Sequence, residues 1–284
     1  MKFAILNSQI IERSEARVDV EDRGYQFGDG VYEVIRVYNG RMFTANEHLN
    51  RFVKSSASIG ITLPYTIEQL TQLLEELKEK NNLQLGTIYL QITRGVAPRN
   101  HPFPTEEIVP TLVAYTKEVG RPVESLATGV TTILTEDIRW LRCDIKSLNL
   151  LANLLAKQKA AEEGCFEAIQ HRGQDVTEGS SSNIFIVKNG TVMTHQSDNL
   201  ILKGITKDVI LDLCLKNNIR VQERTFTLDE LAQADEVFLA STTAEVMPII
   251  EIDGKKAGDG QPGPVTRKLQ ELFVQEIERQ CGNL

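Results

Sequence analysis

Hydrophobic residues recur along this chain with two periods, the two-residue period of strands and the 3.6-residue period of helices. In the first part of the chain, threonines at positions 44 and 66 open two amphipathic helices. Thr44 and Glu47 have the spacing of a capping box, and Gly60 marks the end of the first helix. Strands are predicted in this part at residues 3–6, 33–38, 41–43, 89–93 and 111–117.

The second part of the chain also mixes helices with strands. Three pairs predict tight hairpin turns in the chain as a whole, namely Asn39-Gly40, Asn189-Gly190 and Asp253-Gly254. Helices are predicted after Lys146, over residues 206–216, from Thr227 and from Pro264. Strands are predicted at residues 129–134, 166–171, 183–188, 191–194, 237–240 and 246–252.

The run Gly120-Arg121-Pro122 interrupts this pattern. We therefore expect an N-terminal α+β domain over residues 1–120 and a C-terminal α+β domain over residues 121–284, the latter carrying Lys146. The predicted fold class is α+β.

Composition and charge narrow the classes of function. The chain has 284 residues, 41% hydrophobic and 25% charged, as in ordinary globular proteins. A net charge of −8 argues against nucleic acid or an anionic membrane as partner, and no apolar run reaches membrane-spanning length. The four cysteines and four histidines lack the spacing of a metal site or a disulfide framework. We expect a cytoplasmic protein without a metal site.

Lys146 lies in the first of several stretches that could carry chemistry. A polar run leads into Trp140, and an apolar helical pattern follows Ser147, which suits a helix N-cap. A lysine at the turn into a buried helix loses water, and desolvation favours the neutral, nucleophilic amine that Schiff-base chemistry requires. A surface lysine in front of a helix has the same local pattern, so the stretch alone leaves both interpretations open.

Glu178 begins a polar turn, Glu178-Gly-Ser-Ser-Ser-Asn183, directly before an apolar strand. A carboxylate held at the edge of a core can meet a cationic ring nitrogen and favour its protonated form. An ordinary Ser/Gly loop is the alternative interpretation.

Two further segments could bind a phosphate. Gly204 allows close backbone approach and Thr206 begins a helix, whose N-terminal N–H groups suit an anion. Ser241 and Thr242 follow a predicted strand and offer hydroxyl groups. Simple helix capping explains such residues equally well.

The proline-stiffened loop 98–102 and the glycine-rich segment 23–33 complete the candidates. Arg99 can bind a carboxylate bidentately, and His101 adds a donor. The glycines of segment 23–33 permit close packing, but this is not a nucleotide-binding GxGxxG loop because no helix follows where one is required. Tyr32 offers a phenol to a site, although a packed core tyrosine would look the same.

In combination and in this order, the segments resemble the class IV (fold type IV) pyridoxal-phosphate aminotransferases, and within that class the D-amino-acid aminotransferases. The resemblance extends over nearly the whole chain. The segments that carry it are Asp22–Glu33, Arg99–His101, Ile138–Asn149, Glu178–Phe185, Val192–Thr194 and Leu202–Lys207.

The resemblance implies that pyridoxal 5′-phosphate is the cofactor. Lys146 would form the Schiff base and later move the substrate proton, and Glu178 would pair with the pyridine nitrogen. The residues implied for the remaining cofactor contacts are Arg51, Ile205, Thr206, Ser241 and Thr242 at or beside the phosphate, and Ser180, Ser181, Ser182 and Leu202 around the ring.

The resemblance also implies the substrates and the assembly. Tyr32, Arg99 and His101 would bind the substrate carboxylate, the latter two in the site of the neighbouring subunit of a homodimer. Each site would lie between two α+β domains. The implied reaction is ping-pong exchange of an amino group between small molecules, D-alanine and 2-oxoglutarate giving pyruvate and D-glutamate.

Three alternatives remain at this point. Branched-chain L-amino-acid aminotransferases and aminodeoxychorismate lyases share the implied fold, and the Arg99–His101 loop argues against both. A pyridoxal-phosphate-binding protein without turnover is the third, and the intact lysine, glutamate and carboxylate trap argue against it.

Overall fold

The computed structural model describes residues 2–284, which form two compact units. Of the described residues, the first unit comprises 2–120, Ile145–Asn149 and Ile277–Leu284, and the second comprises Arg121–Asp144 and Leu150–Glu276. The sequence predicts Lys146 in the C-terminal domain, whereas its short segment groups with the first unit because its backbone pairs with residues 31 and 32. The division into domains 1–120 and 121–284 stays a prediction.

The first unit contains one six-stranded sheet and three helices. The bounds are β1 (Phe3–Leu6), β2 (Gln9–Glu12), α1 (Arg23–Phe27), β3 (Gly30–Tyr38), β4 (Arg41–Met42), α2 (Ala45–Ser58), α3 (Ile67–Lys80), β5 (Gly86–Thr93) and β6 (Thr111–Glu118). The strand order is β2-β1-β6-β5-β3-β4, and all neighbouring strands are antiparallel.

Strand β3 places alternate residues in the hydrophobic core of this unit. Val31, Ile35 and Val37 are buried with Leu49 and Phe52 of α2. Leu70, Leu74 and Leu77 of α3, on the apolar face of the amphipathic helix predicted from Thr66, are also buried in this core. Because alternate residues of a strand share a face, position 33 lies on the core side of the sheet as well.

The second unit contains a ten-stranded sheet and five helices, and the last of these helices continues past residue 276 into residues assigned to the first unit. The bounds are α4 (Val123–Thr128), β7 (Val130–Glu136), α5 (Leu151–Glu162), β8 (Glu167–Arg172), β9 (Asp175–Gly179), β10 (Asn183–Lys188), β11 (Thr191–Thr194), α6 (Ile205–Lys216), β12 (Arg220–Glu223), β13 (Phe226–Thr227), α7 (Leu228–Ala232), β14 (Glu236–Ser241), β15 (Glu245–Ile252), β16 (Lys255–Lys256) and α8 (Pro264–Cys281). The strand order is β12-β11-β10-β14-β15-β7-β8-β9-β13, with β16 beside β15. The mixture of sheets and helices in both units confirms the predicted α+β class.

The three predicted hairpin turns are confirmed. Asn39-Gly40 joins β3 to β4, Asn189-Gly190 joins β10 to β11, and Asp253-Gly254 joins β15 to β16. Both residues of each pair have positive φ, the backbone form that matches the twist of a two-residue hairpin.

Two predicted helix caps are wrong. Thr44 precedes α2 in a left-handed conformation and its side chain makes no capping hydrogen bond, since its hydroxyl donates to the carbonyl of Phe43 instead. Ser147 does not cap the helix after Lys146, because α5 begins only at Leu151 while Ser147 forms a β-bridge with Val31. Tertiary pairing overrides the local cap signal at Ser147.

Helix α5 is not the buried helix that the sequence predicts. Its buried residues are the small Ala156 and Ala160, whereas Leu151, Leu154 and Leu155 are 70%, 59% and 54% exposed. Among residues 2–284, no helix is long and apolar enough to span a membrane.

Candidate active site

Lys146 lies in an irregular segment that runs alongside β3. Its carbonyl accepts a hydrogen bond from the backbone N–H of Tyr32 at 3.0 Å, and its own N–H donates to the Ser55 hydroxyl at 3.3 Å. Nζ of Lys146 lies 4.3 Å from the centroid of the Tyr32 ring. The structure thus brings together the predicted cofactor lysine and the predicted substrate-binding tyrosine.

A buried carboxylate, Glu33, lies one residue beyond Tyr32 on the opposite, core-facing side of β3. Its two oxygens accept from the guanidinium of Arg51 at 2.6 and 2.9 Å, and one of them lies 2.7 Å from Nδ1 of His48. Sequence reasoning named Arg51 but missed Glu33 and His48. A charged residue at a core-facing position of an apolar strand was the available signal.

The partners of Glu33 fix its ionisation. Burial alone would raise the pKa of Glu33, but Arg51 and His48 outweigh burial and lower it to about 2. Burial lowers the pKa of His48, the Glu33 carboxylate raises it in part, and the net direction is down. Glu33 is therefore a permanent anion at neutral pH, and it holds the Arg51 guanidinium in one orientation.

Glu178 is buried in the second unit near the end of β9. The sequence predicts a turn here, whereas Asp175–Gly179 is a strand paired with β8. One carboxylate oxygen of Glu178 bonds Arg139. The other accepts from the Asn183 side chain and from the backbone N–H of Leu202, both at 3.1 Å.

Arg139 donates hydrogen bonds to two carboxylates, those of Asp137 and Glu178. Its Nε and Nη2 each donate to Asp137 at 2.8 Å, while its Nη1 bonds Glu178. Asp137 also accepts from Arg172 at 3.1 Å and from the Thr177 hydroxyl at 3.0 Å. Sequence reasoning gave Arg139 no role, because its pairing with Glu178 joins positions about 40 residues apart.

The surroundings of Glu178 raise its pKa, whereas those of Glu33 lower the pKa of Glu33. Burial raises the pKa of Glu178. Arg139 and the backbone N–H of Leu202 lower this pKa, but they do not cancel the effect of burial. The negative charge of Asp137 raises it further, and the result is a pKa of about 7. Near neutral pH this carboxyl changes its charge when a cation approaches.

Helix α6 begins beside this carboxyl. Asn183 donates both to Glu178 and, at 2.9 Å, to the carbonyl of Leu202, two residues before Gly204. A Cβ on Gly204 would lie 2.1 Å from the Asn183 amide oxygen, so only glycine fits. No side chain within residues 2–284 caps the first turn of α6, where Ile205 and Thr206 are buried. The N–H groups of this turn suit an anion.

The other candidates in this unit lie in two loops. Ser241 begins the tight turn between β14 and β15, and its hydroxyl accepts from the backbone N–H of Ala244 at 3.2 Å. Thr242 is the next residue of that turn and is half-buried. The hydroxyls of Ser180 and Ser181 both donate to the buried carboxylate of Glu167, at 3.2 and 3.1 Å, and the neighbouring Ser182 is buried.

Arg99 and His101 are exposed on the loop after β5 in the first unit. The Arg99 guanidinium lies 4.4 Å from the centroid of the Phe27 ring, and the His101 ring centroid lies 5.8 Å from it. Phe27 therefore brings the two predicted carboxylate-binding side chains together. Within residues 2–284, no cluster of three or more His, Cys, Asp or Glu residues could hold a metal ion.

Comparison with known proteins decides the family. Residues 30–252 match the family model described as amino-transferase class IV. The chain belongs to the class IV aminotransferases. A D-alanine aminotransferase of Listeria monocytogenes serotype 1/2a (strain 10403S) is 53% identical over 282 residues, covering 99% of this chain and 98% of that protein.

Solved structures agree with this class IV assignment. The branched-chain amino acid aminotransferase of Escherichia coli superposes with a TM-score of 0.92 at 27% identity, covering 96% of this chain and 94% of that one. The T.th. branched-chain amino acid aminotransferase, complexed with N-(5′-phosphopyridoxyl)-L-glutamate, superposes at 0.90 with 26% identity, covering 99% and 95%. The predicted fold type IV is confirmed, and this class IV aminotransferase depends on pyridoxal phosphate.

The residues present in the second unit fit that cofactor. The uncapped first turn of α6 suits its phosphate, and Gly204 leaves no side chain in the way. The buried carboxyl of Glu178 suits a protonated ring nitrogen, because a cation favours its ionised form.

Proposed function

We propose that this class IV aminotransferase exchanges an amino group between D-amino acids and 2-oxo acids, with D-alanine and 2-oxoglutarate giving pyruvate and D-glutamate. The observation that carries the proposal is the pair Arg99 and His101, presented together on an exposed loop. Full-length similarity to a D-alanine aminotransferase supports it. Homology to branched-chain enzymes is weaker, at 27% identity or less for the two superposed structures.

Lys146 is proposed to hold the cofactor and to move the proton of the substrate Cα–H. Pyridoxal phosphate, when bound, supplies an electron sink for that proton transfer. Tyr32 lies beside the amine and offers a phenol for the substrate carboxylate. Borohydride reduction followed by peptide mapping should place the pyridoxyl label on Lys146, and Lys146→Ala should lose nearly all turnover. A label on another lysine would contradict the assignment.

Glu178 is proposed to face the ring nitrogen and to keep it protonated. A carboxyl whose pKa lies at about 7 ionises fully when that cation is placed against it. Arg139 and Asn183 hold the carboxyl in position, so that little reorientation accompanies the reaction.

The phosphate is proposed to lie at the N-terminus of α6, against Ile205 and Thr206. Thr242 would add a hydroxyl, with Ser241 beside it, and Arg51 would add a cation that Glu33 keeps oriented. The residues proposed around the ring are Ser180, Ser181, Ser182 and Leu202. Thr206→Val together with Thr242→Val should weaken cofactor binding, measured by absorbance titration, while unfolding of the cofactor-free protein stays unchanged.

Handedness is proposed to follow from where the carboxylate is bound. The proton leaves on the side of Lys146, so the remaining choice is which side receives the carboxylate and which the side chain. Arg99, His101 and Tyr32 are the donors proposed for it. Removing a buried charge-assisted partner costs about 2–5 kcal/mol, so Arg99→Ala should weaken binding of D-alanine and of 2-oxoglutarate alike.

The decisive assay compares amino donors. Pyruvate formed from D-alanine and 2-oxoglutarate is measured beside glutamate formed from L-leucine and 2-oxoglutarate. We expect D-alanine to be preferred and L-leucine to react far more slowly. Preference for L-leucine would favour a branched-chain activity, and unchanged substrate binding in Arg99→Ala would refute the role of the loop.

We also propose that the active unit is a homodimer in which Arg99 and His101 serve the partner's site. Both side chains are exposed, and Leu151, Leu154 and Leu155 form an exposed apolar face on α5. Mixing inactive Lys146→Ala chains with Arg99→Ala chains, which should bind substrate weakly, should raise activity through hybrid dimers. No recovery after verified subunit exchange would count against shared sites.

A cytoplasmic location is proposed on the state of the cysteines. All four, Cys143, Cys165, Cys214 and Cys281, are free thiols, which suits a reducing compartment. Fractionation of cells of the source, with an antibody against the chain, would test it.

A further inference from the structure

The segment Asp22–Gly30 has no role in the proposed chemistry, yet it is densely bonded. Asp22 accepts from the N–H of Gly24 at 2.8 Å and from the Thr93 hydroxyl at 2.9 Å, which fixes α1 to the end of β5. A Cβ on Gly24 would lie 2.1 Å from the Thr93 side chain, so the absence of a side chain at this glycine lets α1 pack against β5. Helix α1 is thus held rigidly against β5 and can support the segments that pack on it.

Asp29 ties two arginines together. Gly28 ends α1 with φ of 67°, and the next residue, Asp29, accepts from Nε of Arg23 and Nε of Arg94, both at 2.8 Å. Arg94 adds a second bond to Asp29 at 2.9 Å. Burial raises the pKa of Asp29, but the two guanidinium groups outweigh it and lower the pKa.

The two arginines use their remaining N–H groups differently. Arg94 donates to the carbonyls of Ile59 at 2.7 Å and Gly60 at 3.1 Å, just after α2. Arg23 donates instead to the carbonyl of Asn100 at 2.6 Å and reaches the carbonyl of His101 at 3.4 Å. Asn100 stands between the two proposed carboxylate-binding residues.

The side chains of that loop also rest on α1. Phe27, the last residue of α1, contacts both Arg99 and His101 through its ring, and Arg23 lies 4.8 Å from the centroid of that ring. Backbone and side chains of the loop are therefore fixed from one side by α1, while Arg99 and His101 remain exposed on the other.

We propose that Arg23, held by Asp29, is a positioning residue of the carboxylate-binding loop. Its guanidinium fixes the backbone at Asn100 and His101, and this sets the direction in which Arg99 and His101 point into the partner's site. The inference rests on the proposed function, since it assigns a task to a loop that acts on the neighbouring subunit.

An effect on the chain's own site is the competing explanation. Gly30 follows Asp29 directly, and its carbonyl accepts from the N–H of Leu148 at 3.0 Å, two residues beyond Lys146. Disturbing Asp29 could therefore shift the lysine segment rather than the loop. A test has to separate an effect in trans from an effect in cis.

The first test is Arg23→Lys, which keeps the charge but cannot bond Asp29 and two carbonyls together. We expect KM for D-alanine and for 2-oxoglutarate to rise by about tenfold or more, since weakening a hydrogen bond to a charged group typically costs about 1.5–3 kcal/mol of binding, with kcat nearly unchanged. The matched control is Arg267→Lys, because Arg267 also donates to two carbonyls, those of Leu126 and Ala127, in the second unit. Unchanged KM in Arg23→Lys would overturn the proposal.

The second test uses hybrid dimers with Lys146→Ala chains. A hybrid dimer of one Arg23→Lys chain and one Lys146→Ala chain has one site with a lysine, that of the Arg23→Lys chain. The loop that enters this site comes from the Lys146→Ala chain, in which Arg23 is unchanged. That site should show the wild-type KM. A KM that stays raised, while the Arg99→Ala hybrid recovers, would overturn the proposal in favour of an effect in cis.

Amide hydrogen exchange provides a readout that does not depend on turnover. Exchange should quicken in residues 98–103 of Arg23→Lys and stay unchanged in 145–149. If activity does not recover in the hybrid with Arg99→Ala, the proposal that the two subunits share their sites is wrong. Amide exchange and KM of Arg23→Lys then decide whether Arg23 positions the loop. Should Arg23→Lys not fold, Asp29→Asn takes its place with the same expectations, because it releases the same guanidinium.

Discussion

Glu33 and Glu178 are both buried glutamates that face an arginine, yet their pKa values are displaced in opposite directions. Glu33, in the first unit, has a pKa of about 2, and Glu178, in the second, has one of about 7. Burial raises both. The difference therefore lies in the partners.

Arg51 donates to both carboxylate oxygens of Glu33, and His48 adds a third contact. Arg139 is divided, since it bonds Asp137 through two nitrogens and Glu178 through one. Asp137 also repels charge on Glu178. Two guanidinium bonds and a histidine keep the Glu33 carboxylate ionised. Glu178 receives one guanidinium bond and is repelled by Asp137, so its charge responds to a cation placed against it. The first arrangement suits orientation of Arg51, and the second suits a cationic ring.

The largest effect is expected for Glu178→Gln on turnover. The amide keeps the shape but cannot hold a ring nitrogen protonated, and losing one such electrostatic group typically costs about 10²–10³ in rate. Single-turnover absorbance changes with D-alanine would measure it, with circular dichroism to verify the fold. Glu236→Gln is the matched control, because Glu236 is buried and bonds only the start of α8. Near-native turnover of Glu178→Gln would end the proposed role.

Glu33→Gln should instead act on stability. It replaces the carboxylate that Arg51 faces with a neutral amide, and removing one partner of a buried ion pair typically costs about 3–5 kcal/mol. A pKa lowered to about 2 from 4.5 contributes stability that is present above pH 4.5 and is lost as pH falls towards 2. Urea unfolding of the cofactor-free protein should therefore show a large deficit at pH 7 and a smaller one at pH 3. A deficit independent of pH would mean that packing, not charge, is lost.

Local signals in the sequence predicted much of this fold. The hairpins at Asn39-Gly40 and Asn189-Gly190 follow from two residues each, because positive φ at both positions is a local requirement. The caps at Thr44 and Ser147 failed for the complementary reason. Thr44 takes a left-handed conformation, and Ser147 pairs with a strand more than 100 residues away. No local pattern carries that information.

The residues of the candidate site also differ in whether a local motif or a long-range contact identifies them. Lys146 and Tyr32 could be named from motifs, and the structure places them 4.3 Å apart. Glu33 could have been found, since it interrupts the apolar face of β3. The role of Arg139 could not, because sharing between Asp137 and Glu178 depends on how β7 and β9 are brought together through β8.

In the cofactor-free protein, Glu178→Gln should increase the free energy of unfolding, whereas Glu33→Gln should decrease it. A pKa raised to about 7 from 4.5 means that the unfolded chain ionises first, so stability is lost as pH rises through that window. The amide removes this loss, and we expect a gain of about 3 kcal/mol at pH 8 that vanishes at pH 4.5. Thermal unfolding at both pH values measures it. A variant less stable than the wild type at pH 8 would show that Glu178 is a fixed anion after all.

The smallest effect is expected from Asp137→Asn, which tests the sharing of Arg139 directly. Removing the competing charge leaves Arg139 with one carboxylate and removes repulsion from Glu178, so the pKa of Glu178 should fall, by about one unit. Carbon NMR of labelled glutamate carboxyls, assigned with Glu178→Gln, follows this titration in the cofactor-free protein. Asp144→Asn is the control, because Asp144 pairs with Arg142 at the surface. If the pKa of Glu178 stayed at its wild-type value in Asp137→Asn, burial alone would set it, and the contrast with Glu33 would need another cause than the division of one arginine between two acids.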